Sequence, residues 1–510
     1  MRTSQADQLK TDAKQDQATL CQQIRSYDWK RIFFVSAGLI LFIVFYTAGP
    51  YPDAVDPSGE RFELTREGKG ALALFLLTAT WWVFEVIPIG VTSIMVGVVQ
   101  ALFQLRSSTD GKDGATRAFN DFMDPSVMFI FASIVIGLVF TKTGLTKRMA
   151  YKMLVLVGER TSMIYLGSFI LTASLTLIMA HTAVAATIYP LLMAIYTLYD
   201  PEGKPSKFGK GLFIGMAFTA GAGSIVTLLG AARGAVAIGF FYGIAGREIS
   251  FFELSYYMFP VGWTMVLFLW IFFMIFFKPE HKTIPGLRGR AKMLNSRLGP
   301  ITAAEIMTLI IVVCTVLLMS LRSLIPALQP INKTAIILVS TILFFLLRIL
   351  TVEDLEQIPW NIILLFGGAM SIGFCLWDTG AARWLAVHWL ALFDEAHWFV
   401  FVLGISSFVL IMTNLIMNVA AIAIVLPVAL VIAGYLHVAP EVILFSCLVT
   451  AGMPFLFLVG AAPNAIAYES KMFSSGEFFL AGIPASLIVM AVLAFFVWMI
   501  WPMMGMPILL

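Results

Sequence analysis

Charge is what this chain has least of. Asp, Glu, Lys and Arg make up only 12% of it, against about 25% in soluble domains, which excludes a water-facing surface over most of the length. Its four cysteines, Cys21, Cys314, Cys375 and Cys447, fall in a polar tail or in apolar segments, so no disulfide framework and no metal-ligand spacing is present. No His/Cys/carboxylate cluster, activated-nucleophile motif or phosphate-cradling glycine loop stands out, which argues against an enzyme and predicts no organic cofactor. A net charge of +3 over 510 residues says little about partners, and no nucleic-acid partner is expected. The first 31 residues are polar and lack the short apolar core and cleavage site of a secretory signal. They read as a cytoplasmic tail before a first span that stays in place.

What the chain has is hydrophobic residues, 60% of the total, arranged in runs long enough to cross a bilayer. Spans are expected near 32–49, 70–87, 89–104, 126–141, 211–245 (broken), 257–277, 300–320, 334–349, 361–377, 440–470 (broken) and 483–503. The fold class is therefore all-α and polytopic, embedded in lipid. Between 278 and 297 stand Lys278, Lys282, Arg288, Arg290, Lys292 and Arg297 against a single acid, Glu280. Such a loop is expected on the cytoplasmic side, as is the shorter basic stretch Lys142, Lys147, Arg148 and Lys152. Eleven crossings from a cytoplasmic N-terminus put the C-terminus outside, in the inner (plasma) membrane.

The chain also repeats itself. Ile136-Gly137, Thr143-Gly144 and Ala150 are echoed by Ile372-Gly373, Thr379-Gly380 and Ala386, an offset of 236 (372 − 136). His181-Thr182-Ala183 runs to Pro190 as Asn418-Val419-Ala420 runs to Pro427, an offset of 237 (418 − 181). Gly230-Ala231-Ala232-Arg233-Gly234-Ala235 meets Gly460-Ala461-Ala462-Pro463-Asn464-Ala465 at 230 (460 − 230). Each repeat holds five crossings, an odd number, so the two enter the membrane from opposite sides. The expected organisation is a tail (1–31), a first span with an outer loop (32–69), a first inverted repeat (70–277), a basic linker (278–299) and a second repeat (300–510). Secondary transporters share this architecture, with the substrate site where the repeats meet.

Two apolar segments, 160–198 and 398–435, are interrupted in mid-run by His181-Thr182 and by Thr413-Asn414 with Asn418. Each reads as a re-entrant helical hairpin whose tip needs protein or water to satisfy its backbone. Opposite each should lie a broken span, Gly221 through Gly234 and Gly452 through Asn464. Half-helix N-termini there suit anions, and unwound carbonyls with helix C-termini suit cations.

Further segments complete the picture: Trp81-Trp82-Val83-Phe84-Glu85-Val86-Ile87-Pro88, Phe122-Met123-Asp124-Pro125, Thr143-Gly144, Pro359-Trp360-Asn361 with Leu365-Phe366-Gly367-Gly368, and Ala462-Pro463-Asn464-Ala465. In this order, from about residue 70 to 500, the chain resembles the divalent anion–sodium symporters, carriers of dicarboxylates, citrate and sulfate. The resemblance implies a homodimer with a scaffold domain at its interface and a transport domain, including both hairpins, that moves like an elevator. It implies a small anionic substrate and sodium as coupling ion. The family marks each hairpin tip with Ser-Asn-Thr; here the triplets read Ala180-His181-Thr182 and Met417-Asn418-Val419. A hydroxyl five residues before the tip amide, which helps to hold sodium in the family, is kept as Thr176 and Thr413. The family's Gly-Thr-Pro-Pro-Asn break survives as Gly460-Ala461-Ala462-Pro463-Asn464, whereas the first half has Arg233 and Gly234.

The expected substrate contacts are thus Thr182, Asn418, His181, Arg233 and Asn464, and one Na+ is expected at Thr413, Asn418, Gly460 and Ala461. The first half has lost both amides and gained Arg233, which suggests that a fixed guanidinium replaces the first sodium. Plainer readings stand beside these: Arg233 paired with Glu85 or another buried acid, His181 as a neutral cap, and the threonines bonded back to their own helices. The function expected is secondary transport of small divalent anions, dicarboxylates first, with reduced or altered sodium coupling. The alternatives are a sodium-independent carrier, proton-coupled or exchanging, and a non-transporting anion sensor.

Overall fold

In lipid every backbone amide has to be satisfied within the protein, and a helix does this inside one segment. The computed structural model describes residues 29–55, 60–106, 114–390, 397–415 and 417–510, and these are overwhelmingly helical. The expected polar tail lies almost wholly outside the described residues. The chain opens with α1 (Trp29–Thr47), α2 (Arg66–Val83), α3 (Ile89–Phe103), α4 (Gly114–Asn120), α5 (Pro125–Lys142) and α6 (Leu145–Val157). The first hairpin follows as α7 (Thr161–Thr176) and α8 (His181–Tyr199), then the broken pair α9 (Lys207–Gly223) and α10 (Ala232–Ala245), and α11 (Phe251–Phe276). The basic linker carries α12 (Leu287–Arg297).

The second half runs in the same order. It comprises α13 (Ala303–Leu324), α14 (Lys333–Leu346), α15 (Val352–Glu356), α16 (Trp360–Asp378) and α17 (Ala381–Leu390). A second hairpin, α18 (Trp398–Leu415) and α19 (Asn418–Tyr435), precedes the broken pair α20 (Pro440–Ala451) and α21 (Ala462–Tyr468), and α22 (Ser475–Phe495) closes the series. Among the described residues, 8 helical stretches are long and apolar enough to cross a membrane, and the apolar helices α1, α3, α7, α10, α14 and α20 are shorter. The expected spans at 211–245 and 440–470 are each built from two such pieces. One echo escapes a search for identical segments. Ser250, Glu253 and Pro260 of α11 match Ser474, Glu477 and Pro484 of α22, and each serine caps its helix by accepting from the glutamate N–H, at 3.0 and 3.3 Å.

The halves interleave. Helix α16 of the second packs along α3 of the first, and in return α5 packs along α14; likewise α10 packs on α19 and α21 on α8. Neither half can bury its apolar faces alone, and the buried side chains form one continuous core. Ion pairs gather at two ends. At the end bearing the linker, Arg148 pairs with Glu305 at 2.8 Å and also donates to the carbonyls of Gly299 and Pro300, while Lys142 pairs with Asp354 and Lys210 with Glu477. At the opposite end Arg106 joins Asp121 and Asp378 at 2.5 and 2.6 Å, Arg247 joins Glu253 and Glu441, and Glu248 sits between Arg322 and Lys333. Glu253 and Glu477 hold matching positions in the two repeats yet fall at opposite ends, so the repeats are inverted. Burial alone would raise the Glu248 carboxyl, but Arg322 and Lys333 hold it below the usual range.

Candidate functional site

The first hairpin turns over Leu177 to Ala180, and α8 begins at His181. This tip docks on the first break: the backbone N–H of His181 donates to the Gly230 carbonyl at 3.0 Å, and the Thr227 hydroxyl donates to the Leu177 carbonyl at 2.8 Å. His181 Nδ1 lies 3.3 Å from the same Gly230 oxygen. A carbonyl only accepts, so Nδ1 carries the proton and Nε2 is left for another partner. Thr176 bonds back to the Ala173 carbonyl at 2.7 Å. Helix and break approach so closely that a Cβ on Gly230 would stand 2.5 Å from the Thr176 carbonyl oxygen. Only glycine fits there.

A cavity of about 580 Å³ leads to this tip. One wall is a face of α5 with Ile130, Ile134 and Leu138, and the other a face of α8 with Ala186, Pro190 and Ala194, both at helical spacing. Its inner end is made by His181, Thr182, Ala231 and Ala232, where α8 and α10 begin. Its outer end has Lys147, Leu294 and Gln357. Lys147 and His181 are on the wall, but no Asp or Glu is. Of the expected substrate contacts, the structure brings His181 and Thr182 together here.

Arg233 is elsewhere. It is only 1% exposed, and its side chain turns away from the cavity into the space between the two breaks. Its Nη2 donates to the Ser224 hydroxyl at 2.6 Å and lies so near the second break that a Cβ on Gly452 would come within 2.8 Å of it. Helices α9 and α20 both end at this point, and helix C-termini favour a cation. Among the described residues no carboxylate pairs with Arg233, and its Nη1 has no hydrogen-bond partner. Pairing with Glu85 is thereby corrected. Glu85 is exposed, in the left-handed region at φ 44°, beside Asn361 in a separate pocket. The reason is positional: it belongs to the turn between α2 and α3.

The second junction is built differently. The Thr413 hydroxyl donates to the Ala451 carbonyl at 3.1 Å rather than back into its own helix. Asn464, 2% exposed, donates to the carbonyls of Pro454 and Phe457 at 2.7 and 3.1 Å, knitting the unwound segment to α21. Gly460 sits as Gly230 does, a Cβ there standing 2.9 Å from the Thr413 carbonyl oxygen. Yet no donor among the described residues bonds the Gly460 carbonyl, whereas Gly230 receives His181. Asn418 begins α19, 7% exposed, and no described residue hydrogen-bonds its side chain. Ala461 is the N-cap of α21. Thr413, Gly460 and Ala461 are brought together as expected.

One residue that the sequence marks only as part of a polar break belongs to this junction. Asn414 accepts from the backbone N–H of Leu456 at 2.7 Å and donates to the Leu410 carbonyl at 2.6 Å, holding the unwound strand to the hairpin. Its first-half counterpart is Leu177, so the repeat could not reveal it. Its only sequence signal is an amide at membrane depth.

Paired hairpins on paired broken helices, with a cavity ending at one of them, define a polytopic membrane protein of transporter architecture. Solved structures agree at the level of fold. The YdaH transporter of Alcanivorax borkumensis superposes with a TM-score of 0.53 at 11% identity, over 84% of this chain and 99% of that one. MtrF of Neisseria gonorrhoeae gives 0.54 at 12%, over 92% and 94%. The particular family follows from the sequence match: the chain belongs to the sodium:sulfate symporter family, whose transmembrane-region model matches residues 34–507. Among curated relatives, the sodium-dependent dicarboxylate transporter SdcS of Staphylococcus saprophyticus is 25% identical over 461 residues, 86% of this chain and 87% of the relative. Its namesake from Staphylococcus aureus is 24% identical over the same shares.

Proposed function

We propose that this chain is a secondary active transporter of small divalent anions, dicarboxylates first, which its relatives' names describe. It works as a homodimer in the inner (plasma) membrane, with the N-terminus and basic linker cytoplasmic. Its two hairpins and broken helices move as an elevator against α1–α6 and α13–α17. The observation that carries this reading is the acid-free cavity between α5 and α8, which ends at His181 and Thr182 where two helices present their N-termini. In this arrangement the cavity opens to the cytoplasm, and the ion pairs of Glu248 with Arg322 and Lys333 close the outer side.

Coupling is reduced to one sodium. In the first junction the protein's own donors occupy the oxygens that a cation would need: His181 on Gly230, Thr227 on Leu177 and Arg233 on Ser224. The Arg233 guanidinium, set where α9 and α20 end, supplies permanently the positive charge that sodium would bring. The second junction keeps Thr413, Asn418 and the carbonyls of Gly460 and Ala461 for one Na+. A sodium-independent carrier is the second reading, and the observation that favours it is a histidine, His181, on the cavity wall.

Labelled succinate uptake into proteoliposomes tests both. Uptake driven by an inward sodium gradient, with a Hill coefficient near one that rises in Arg233→Asn, supports the first reading. Uptake only by counterflow, indifferent to sodium in both proteins, supports the second. A wild-type coefficient of two or more removes the idea that Arg233 has replaced an ion.

A further inference from the structure

We infer that the dicarboxylate this chain accepts is longer than four carbons, with an apolar chain between its two charged ends. The inference rests on the transport reading above and names its substrate class. From His181 to Ala194 the cavity follows α8 through a rise of about 20 Å. Its volume of about 580 Å³ is that of a site for a body much larger than succinate. Charge complementarity is confined to the ends. The inner end has the N-termini of α8 and α10, the Thr182 hydroxyl and the His181 ring; the outer end has Lys147 and Gln357. Between them the walls are mostly apolar. The mid-groove hydroxyls, Thr141 and Thr187, lie 3.5 Å apart and already donate to the carbonyls of Gly137 and Ala183 at 3.0 and 2.8 Å.

A four-carbon diacid cannot touch both ends at once, and its second carboxylate would lie against alanine and proline, where an unpaired charge is costly. Each methylene added to the chain buries apolar surface along α5 and α8 and carries the far carboxylate closer to Lys147. No bond is made or broken.

The test is a series of α,ω-diacids of four, six, eight and ten carbons, run in two arms. One arm measures binding to the protein in detergent-free nanodiscs by calorimetry; the other measures competition with labelled succinate uptake in proteoliposomes. Fully buried methylenes are worth roughly fourfold in affinity each, so binding that tightens at least tenfold from four to eight carbons is the expected result. Lys147→Gln should weaken the eight-carbon diacid fivefold or more while leaving octanoate unchanged. Ala186→Leu, which fills the groove midway, should remove the gain with length. Affinity that is flat or falls with length, or a Lys147→Gln loss shared by octanoate, overturns the inference. Succinate uptake with flat binding leaves the transport reading standing and this one fallen. Binding that tightens with length without any uptake does the reverse.

Discussion

The two hairpin–break junctions share one backbone plan and differ in their hydrogen bonding. In the first, the tip residue His181 reaches the Gly230 carbonyl with both its backbone N–H and its ring, and Arg233 donates to Ser224. In the second, the Gly460 carbonyl takes no donor from the described residues, and the side-chain amides of Asn414 and Asn464 bind the unwound strand. The same backbone scaffold is self-neutralised on one side and left open on the other. An inverted repeat supplies two copies of a geometry; side chains decide which backbone oxygens in each copy stay without a donor.

The largest effect expected from disturbing this contrast is at Gly460. A Cβ there would stand 2.6 Å from the Pro454 Cβ and 2.9 Å from the Thr413 carbonyl oxygen, so Gly460→Ala should abolish uptake in a folded, monodisperse protein. Wild-type rates in this variant would mean that the second junction is not the ion site. Asn464→Ala comes next. It strands the buried carbonyls of Pro454 and Phe457, at a cost of about 1–3 kcal/mol, and sodium-stimulated uptake should drop about tenfold. Melting curves with and without sodium would check it, the shift produced by sodium being smaller in the variant.

A sharper comparison pairs Thr413→Val with Thr176→Val. Because the Thr176 hydroxyl is spent on its own helix and the Thr413 hydroxyl points to the break, only the former replacement should raise the half-saturating sodium concentration, several-fold. Equal shifts would contradict the asymmetry. The smallest effect is expected outside the junctions, at Glu280, which receives the Tyr199 hydroxyl and the backbone N–H groups of Lys207 and Phe208 and so ties the first hairpin to the linker. Burial works to raise its carboxyl, but these donors hold it below the usual range. Its stabilisation is therefore present above the unfolded pKa of about 4.3 and lost as pH falls through the lower folded value. Glu280→Gln should melt slightly below wild type at pH 7, with the gap closing below about pH 4.

Much of this was legible residue by residue. A polar pair inside an apolar run has to mark a break in lipid, so the tips at His181 and Asn418 and the unwinding near Gly230 and Gly460 fall where the sequence puts them. Asn414 was not legible as a site residue, since Leu177 in the first half denies it an echo. Nor was the heading of Arg233. It is the second residue of α10, and the rotation of that short helix against α19 and α20 turns its guanidinium toward Gly452 rather than toward the cavity.

The sequence by itself determined that the chain is an all-α polytopic membrane protein and where its apolar runs break, because hydropathy and glycine placement act locally. Only the tertiary structure decided which oxygens remain free for an ion and which side chains face the cavity. Those outcomes depend on contacts between residues as remote as Gly221 and Gly452, whose backbones meet at the crossing of the two breaks, and no local pattern encodes the rotation of one half-helix against another.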